Sequence, residues 1–195
     1  MTRALSTPPV LPTGVLADFP QPVLPAGQGL LLRPWEPADA PLFLAAYQDT
    51  EIRRWHTRRP STEADVHDWF AAYRRDWEAE RGGHWAIARE QDGQVLGRIA
   101  LRGFDFDDGI AGAAYWVIPA ARGAGVATSA LTALTLWAME EVGFYRLHLD
   151  HSTRNQASCR VAEKSGYLFE GTKRSAALHD DGRHDMHLHA RIREV

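Results

Sequence analysis

The sequence predicts a mixed α/β (α+β) domain built around a partly parallel sheet. Strand-like apolar runs come first and include a hairpin. The second half then alternates strand, helix, strand, helix and strand, an order that places some strands side by side in parallel. The chain has 195 residues, of which 45% are apolar and 24% charged. These proportions are typical of a globular domain with a sizeable core, and they exclude a disordered, collagen-like or coiled-coil chain.

Charge and cysteine content exclude further classes of protein. The formal net charge is −3, from 22 Lys and Arg against 25 Asp and Glu, so we expect no nucleic-acid partner. The single cysteine, Cys159, excludes an internal disulfide and a Cys-rich zinc site. No apolar run reaches the roughly 20 residues that cross a bilayer, and prolines interrupt any signal-peptide core. We therefore expect a cytoplasmic protein without a membrane partner.

The amino-terminal segment differs in composition from the rest of the chain. Residues 1–27 hold six of the eleven prolines. Such a segment neither continues a helix nor donates to a sheet ladder. We expect a Pro-rich N-terminal arm over residues 1–27, either extended on the surface or disordered, and a single domain over residues 28–195.

Apolar spacing and turn residues predict the elements of the first half. Thr62 and Asp65 form a capping-box pattern at the start of a helix. The turn Gln91-Asp92-Gly93-Gln94 joins two strands as a hairpin. The predicted elements are a strand at 30–32, helices at 39–48 and from 62 to 82, and strands at 84–89, 95–101 and 113–118.

Glycine and proline residues mark the ends of the elements predicted for the second half of the chain. Pro119 closes a strand, and the glycines of residues 122–125 begin a helix that ends at Gly143. Asn155 caps a further helix, which Gly166 ends. The predicted elements are helices at 122–143 and 155–165 and strands at 145–150, 167–173 and 186–192.

The turn Arg122-Gly123-Ala124-Gly125 is the most informative stretch of the sequence. Glycines between a strand and a helix let successive backbone N–H groups converge on one point, and the helix dipole adds positive potential there. The turn therefore predicts a receptor for a phosphate or pyrophosphate, to which Arg122 adds a charge. It lacks the Gly-Lys-Ser/Thr of a triphosphate loop and has Thr128 where a dinucleotide fingerprint needs glycine. A plain helix start with two flexible glycines is the alternative.

Four motifs in the same order resemble the GNAT N-acetyltransferases. Residues 122–127 resemble the acyl-CoA pyrophosphate loop, R/Q-x-x-G-x-G/A. Asn155-Gln-Ala-Ser158 with Glu163-Lys164-Ser165-Gly166-Tyr167 resembles a helix of the same fold. Glu170-Gly171 and the turn at 181–185 are typical of the RimJ/RimL ribosomal-protein alanine acetyltransferase branch. The resemblance covers residues 29–195 and implies a mixed, mostly antiparallel sheet with a parallel, splayed central pair flanked by helices.

The resemblance also implies how a cofactor is held. Acetyl-CoA would be the co-substrate, and no metal would be needed. Backbone groups near the end of the third strand would pair with the pantetheine arm, the glycine turn would hold the pyrophosphate, and Asn155 would contact the arm or serve only as a helix cap. The implied cofactor-binding residues are Val117, Ile118, Arg122, Gly123, Ala124, Gly125, Val126, Ala127 and Asn155.

The implied chemistry is direct attack by a primary amine on the acetyl thioester in a ternary complex. Asp150 aligns with an acid that serves as base in some alanine-acetylating relatives; His148 and His151 are nearby alternatives, and a solvated strand-end carboxylate is the other reading. Many members place a proton-donating Tyr where this chain has Ala162. Ser158 has the remaining hydroxyl. It is either the general acid that protonates the departing thiolate or an ordinary serine in the first turn of the helix.

The sequence is compatible with three functions. The first is an N-acetyltransferase acting on a protein amino terminus or a small amine, as a monomer or homodimer. The second is a catalytically weak acyl-CoA-binding sensor, suggested by Ala162 and by Ala177 in place of the branch's glutamate, or a transferase of a different acyl group. The third is a metal-binding module built from histidines.

Two further groups of residues have competing interpretations. In a strand His187 and His189 share one face, and we expect a solvated face there rather than a metal site. Trp55, His56 and the arginines around them lie between the first two predicted helices. They could contact the acceptor, or they could form a solvated basic loop.

Overall fold

The computed structural model describes residues 7–194, which fold around one eight-stranded sheet of order β1-β2-β3-β4-β5-β6-β8-β7. The strands are β1 (Leu24–Pro25), β2 (Leu30–Pro34), β3 (Gly82–Arg89), β4 (Val95–Asp105), β5 (Ile110–Val117), β6 (Arg146–Ser152), β7 (Leu168–His179) and β8 (Gly182–Ile192). The helices are α1 (Ala40–Ala46), α2 (Thr50–Trp55), α3 (Glu63–Glu78), α4 (Val126–Leu136) and α5 (Gln156–Lys164). A π-helical turn over Trp137–Val142 extends α4.

The sheet is mixed and mostly antiparallel, as predicted. The parallel pair is β5 with β6, and its register holds only Ile110 opposite Arg146, Ala111 opposite Leu147 and Gly112 opposite His148. Beyond these positions the two strands separate, while β5 stays paired with β4 and β6 with β8. The centre of the sheet therefore contains a gap.

Two hydrophobic clusters form the core. The larger one joins α4 and the sheet through buried residues such as Ile99, Leu134 and Leu147. The smaller one is aromatic and packs α1, α2 and α3 against the sheet through residues such as Phe43 and Trp116. Within residues 7–194, no helix has both the length and the hydropathy that a membrane crossing requires.

The described part of the Pro-rich arm packs against the body of the domain. Leu11 and Leu16 are buried in the larger cluster. The Glu80 carboxylate accepts hydrogen bonds from the N–H groups of Gly14 and Leu16, at 2.7 and 2.8 Å. The indoles of two tryptophans hold the arm further along, because Trp77 and Trp85 donate to the carbonyls of Phe19 and Pro22. Residues 1–6 of the predicted arm lie outside the described part of the chain.

Three local expectations were wrong. The Pro-rich arm does join the sheet, because Leu24–Pro25 pairs with β2 as strand β1 and the N–H of Ala26 donates to the carbonyl of Leu30. The segment after the first predicted helix is not an uninterrupted loop, because the Asp49 carboxylate caps residues 50–55 as helix α2 by accepting from the N–H of Ile52. The strand face of His187 and His189 is not solvated either. His189 is fully buried and His187 is partly buried, since α5 and the Phe169 ring cover this face.

The packing of the arm predicts the effect of one core substitution. Leu16→Ala should lower the free energy of unfolding by about 2–5 kcal/mol, because it leaves a cavity in the larger cluster. Chemical denaturation followed by circular dichroism measures this change. Val23→Ala is the matched control: Val23 is exposed in the same arm and should cost less than about 0.5 kcal/mol. Equal effects of the two substitutions would contradict the packing described here.

Candidate functional site

A cavity of about 460 Å³ opens where β5 and β6 separate. This volume lies within the range of small-molecule and cofactor sites. Four parts of the fold supply its walls: helix α2, the end of β5, the glycine turn before α4, and one face of α5. The cavity therefore joins the strand gap to the amino-terminal ends of two helices.

The glycine turn presents free backbone donors to this cavity. Gly125 is the N-cap of α4 in a left-handed conformation, with φ of 77°, and no side chain of the described residues 7–194 caps the helix. The first N–H groups of a helix have no partner within it, so those of Val126, Ala127 and Thr128 are left for a ligand. All three residues line the cavity, and the helix dipole adds positive potential at this end. The turn is thus suited to bind an anion.

Two cations that the sequence reasoning missed stand across from this turn. Arg160 and Lys164 line the cavity from α5. They are four residues apart and hence on one face of the helix. This spacing is visible in the sequence, but only the fold shows that Arg160 and Lys164 line the same cavity as the glycine turn. Their charges extend the anion-binding character of the site.

Arg122 has partners within the protein. Its guanidinium donates to the carbonyl of Val117 at 3.2 Å and pairs with Asp49. Partial burial raises the pKa of the Asp49 carboxyl, but hydrogen bonds from Arg122 and from the N–H of Ile52 outweigh this and lower it below its ordinary value. Arg122 therefore connects the glycine turn to the cap of α2.

Two of the residues predicted to bind the cofactor do not line the cavity. The N–H of Ile118 donates to the carbonyl of Leu96 at 2.9 Å, and its side chain packs against the core. Ala124 is exposed outside the wall. The cavity does bring together the other predicted residues, namely Val117, Arg122, Gly123, Gly125, Val126, Ala127 and Asn155.

A pair of hydroxyls, from Tyr115 and Ser158, lines the cavity. Asn155 caps α5 by accepting from the N–H of Ser158 at 3.0 Å. The Ser158 hydroxyl is 2.7 Å from that of Tyr115. Burial raises the pKa of Tyr115 well above its ordinary value, although the hydrogen bond with Ser158 lowers it in part. The phenol therefore stays protonated at physiological pH and can donate a proton or a hydrogen bond.

Tyr115 was missed by the sequence reasoning. Strand alternation places it on the same face of β5 as Val117, which was already predicted to bind the cofactor. That alternation is the signal that could have identified it.

Helix α2 and its C-cap residue also contribute to the cavity wall. Trp55 and His56 both line the cavity. Burial lowers the pKa of His56 to about 3, and the positive charges of Arg98 and Arg102 add to this effect. The imidazole is therefore neutral at physiological pH.

Asp150 and His148 lie beside the cavity rather than in its wall. Asp150 is exposed on β6, and its carboxylate is 2.9 Å from the Lys173 ammonium. His148 stands at the start of the gap, where a Cβ built at Gly112 would be only 2.9 Å from its Nε2. Burial lowers the pKa of His148, and the charge of Asp150 partly opposes this. Strand alternation puts the side chains of Asp150 and His148 on one face of β6 and that of His151 on the other. The role of Asp150 as base stays a prediction.

Residues 29–168, more than half of the chain, match the family model of the acetyltransferase (GNAT) domain. The chain belongs to the GNAT acetyltransferase family. This GNAT protein is 30% identical over 95 residues to the putative ribosomal N-acetyltransferase YdaF of Bacillus subtilis (strain 168). The alignment covers 49% of this chain and 52% of YdaF, so the chain spans about half the length of this curated relative.

Solved structures of RimL-like acetyltransferases share the fold of this GNAT protein. RimL, a ribosomal L7/L12 alpha-N-protein acetyltransferase in complex with coenzyme A, gives a TM-score of 0.81 at 17% identity, covering 88% of this chain and 98% of RimL. A putative ribosomal-protein-serine acetyltransferase from Vibrio cholerae gives 0.78 at 20% identity, with 89% and 99% covered. These structures confirm the predicted fold and agree with the RimJ/RimL-like resemblance of the motifs.

Proposed function

We propose that the protein is an acetyl-CoA-dependent N-acetyltransferase that acetylates a primary amine, on a protein amino terminus or a small molecule, by direct attack in a ternary complex. One observation carries this proposal: the gap between β5 and β6 opens onto the free N–H groups of the glycine turn. Acetyl-CoA has a pyrophosphate and, at the far end of an amide-containing arm, a thioester. The glycine turn suits the pyrophosphate, and the strand gap suits the arm with its thioester.

The residues of the cavity fit this ligand. The N–H groups of Val126 and Ala127 would hold the pyrophosphate, with Arg160 and Lys164 adding charge. The free edge of β5 would pair with the amide groups of the arm as an added strand does. Two structural neighbours support the choice of ligand. RimL was solved with coenzyme A, and the microcin C7 self-immunity acetyltransferase MccE with acetyl-CoA and AMP.

When bound, acetyl-CoA supplies an activated thioester at the strand gap. The neutral acceptor amine attacks its carbonyl carbon, so that a C–N bond forms, the C–S bond breaks, and the thiol of coenzyme A leaves. Backbone N–H groups on the free edge of β5 would polarise the carbonyl oxygen. The Tyr115 hydroxyl, with Ser158 behind it, would donate a proton to the departing sulfur.

The amine must also lose a proton. We retain Asp150 as the proposed base, with His148 as the alternative, since both lie at the end of the gap away from the glycine turn. The Asp150 carboxylate lies 2.9 Å from the Lys173 ammonium, and its oxygens are the proposed proton acceptor. His148 is kept neutral by its lowered pKa and can accept a proton as well.

The glycine turn can be tested by Gly125→Val. A valine at a φ of 77° adds roughly 1–3 kcal/mol of strain, which is relieved only by moving the N–H groups. Affinity for acetyl-CoA, measured by calorimetry, should fall by about tenfold or more. Gly93→Val is the matched control, because Gly93 has a φ of 70° in the remote β3–β4 turn. If Gly125→Val binds acetyl-CoA as tightly as the wild type, the turn does not hold this ligand.

Tyr115→Phe removes the phenol hydroxyl and keeps the ring. We expect turnover to fall by about tenfold or more while the dissociation constant of acetyl-CoA stays unchanged, because only the proton donor is lost. A thiol-release assay against amino-terminal peptides and small amines measures turnover. Tyr145→Phe, at an exposed aromatic outside the cavity, should leave it unchanged. An equal loss of affinity and turnover in Tyr115→Phe would indicate a binding role instead.

Asp150→Asn distinguishes between Asp150 and His148 as the base. If Asp150 is the base, the plateau of the pH–rate profile falls by about 100-fold at unchanged affinity for acetyl-CoA. If His148 is the base, the plateau persists and the acid limb moves to lower pH, because removing the Asp150 charge lowers the pKa of His148 further. Asp107→Asn, an exposed control, should change neither quantity.

The same assay tests the proposed activity itself. Tight binding of acetyl-CoA without turnover across the whole peptide and amine panel would contradict an acetyltransferase and favour a sensor.

A further inference from the structure

Four potential metal ligands meet on the face of the sheet opposite Asp150. They are His151 on β6, Cys159 on α5, and His187 and His189 on β8, and one ligand atom from each lies within 4.8 Å of the others. The register of the sheet creates the cluster, since His151 is directly opposite His187 and the next inward position of β8 is His189. Helix α5 then lays Cys159 over the three rings. We call these residues the His–Cys cluster.

Backbone carbonyls fix which nitrogens of two rings are free. The Nδ1 of His151 is 2.9 Å from the carbonyl oxygen of Ser152, and the Nδ1 of His189 is 3.4 Å from that of Tyr167. Because a carbonyl can only accept, both Nδ1 atoms carry the proton, and both Nε2 atoms present a lone pair. In metal sites, a backbone carbonyl commonly accepts a hydrogen bond from one ring nitrogen of a histidine and so directs the other nitrogen toward the ion.

Two ring nitrogens of the cluster have no hydrogen-bond partner among residues 7–194. They are the Nε2 of His151 and the Nδ1 of His187, and both are buried. His151 is only 5% exposed, so water does not substitute freely. A buried polar atom without a partner is destabilising, because it loses its hydrogen bond to water on folding, so a histidine cluster with a merely structural role would be an unfavourable arrangement. An additional group that accepts lone pairs would remove this cost.

We propose that the His–Cys cluster binds one Zn²⁺ ion as a closed, four-coordinate site. Zinc takes imidazole nitrogen at about 2.0–2.1 Å and thiolate at about 2.3 Å, which places adjacent ligand atoms of a tetrahedron roughly 3.3–3.7 Å apart. The Cys159 Sγ is already 3.7 Å from the His189 Nε2. The other separations are within 4.8 Å and need a contraction of at most about 1.5 Å.

The donor set selects the class of metal. Three imidazoles and one thiolate suit Zn²⁺ and exclude Mg²⁺ and Ca²⁺, which prefer oxygen ligands. Binding converts the Cys159 thiol to a thiolate and releases one proton. The exposed Glu163 carboxylate, 3.5 Å from Sγ, can pass this proton to solvent. With four protein ligands no position is left for a substrate, so the ion is structural.

The ion would join α5 to the two strands beneath it. Ser158, the residue before Cys159, forms the hydroxyl pair with Tyr115 at the cavity. A metal at the cluster would therefore hold α5 in the position that brings these hydroxyls together. The proposal itself rests on the four ligands and stands independently of the acetyltransferase function.

The test uses the full-length protein stripped of metal with a chelator and then titrated with ZnCl₂ by calorimetry. We expect one equivalent of Zn²⁺ per chain and a rise in melting temperature with the metal. Co²⁺ serves as the spectroscopic probe, because a tetrahedral site with a thiolate gives visible d–d bands and a sulfur-to-cobalt charge-transfer band.

Three variants distinguish the cluster from adventitious binding. Cys159→Ser should abolish the charge-transfer band, and both Cys159→Ser and His187→Gln should weaken Zn²⁺ binding at least tenfold. His67→Gln, which alters an exposed histidine on α3, should bind as the wild type does. Circular dichroism of the metal-free proteins checks folding.

Two results would overturn the proposal. One is a wild-type protein that binds clearly less than one equivalent or gives an octahedral cobalt spectrum. The other is a pair of folded variants that bind zinc as tightly as the wild type. If neither variant folds, the wild-type stoichiometry and cobalt spectrum decide alone.

Discussion

The early end of the pairing between β5 and β6 is the constraint on which the rest of the site depends. Three residue pairs hold these strands together, and each strand remains satisfied on its other edge by an antiparallel neighbour. The two edges that face the gap can therefore stay unpaired without unravelling the sheet. The glycine turn continues from the end of β5 and α5 follows β6, so the amino-terminal ends of α4 and α5 face the same opening.

The two cores then set the shape of the opening. Helices α4 and α5 belong to the larger cluster, whereas α2 belongs to the aromatic cluster on the other side of the sheet. The contact of Arg122 with Asp49 connects them across the mouth of the cavity. A ligand in the gap thus touches elements from both sides, and its fit depends on how the two clusters are packed.

Local signals in the sequence predicted much of this architecture. The capping box at Thr62 and the glycines around residue 125 gave the helix starts, because such features depend on adjacent residues. Helix α2 was missed, since six largely polar residues show no clear period. Tyr115 was missed although strand alternation places it on the same face of β5 as Val117. The His–Cys cluster was missed because it requires contacts between elements distant in sequence. The cluster takes its members from β6, α5 and β8, and no spacing along the chain reveals that meeting.

The arm has a practical consequence for choosing fragments of this protein. The family match begins at residue 29, yet Leu11, Leu16 and Leu24 belong to the larger cluster. A fragment trimmed to the family boundary would expose the apolar surface that these leucines cover. It would also leave the indole N–H groups of Trp77 and Trp85 without their carbonyl acceptors. Such a fragment is expected to aggregate on expression, so domain borders here follow the packing of the arm rather than family similarity.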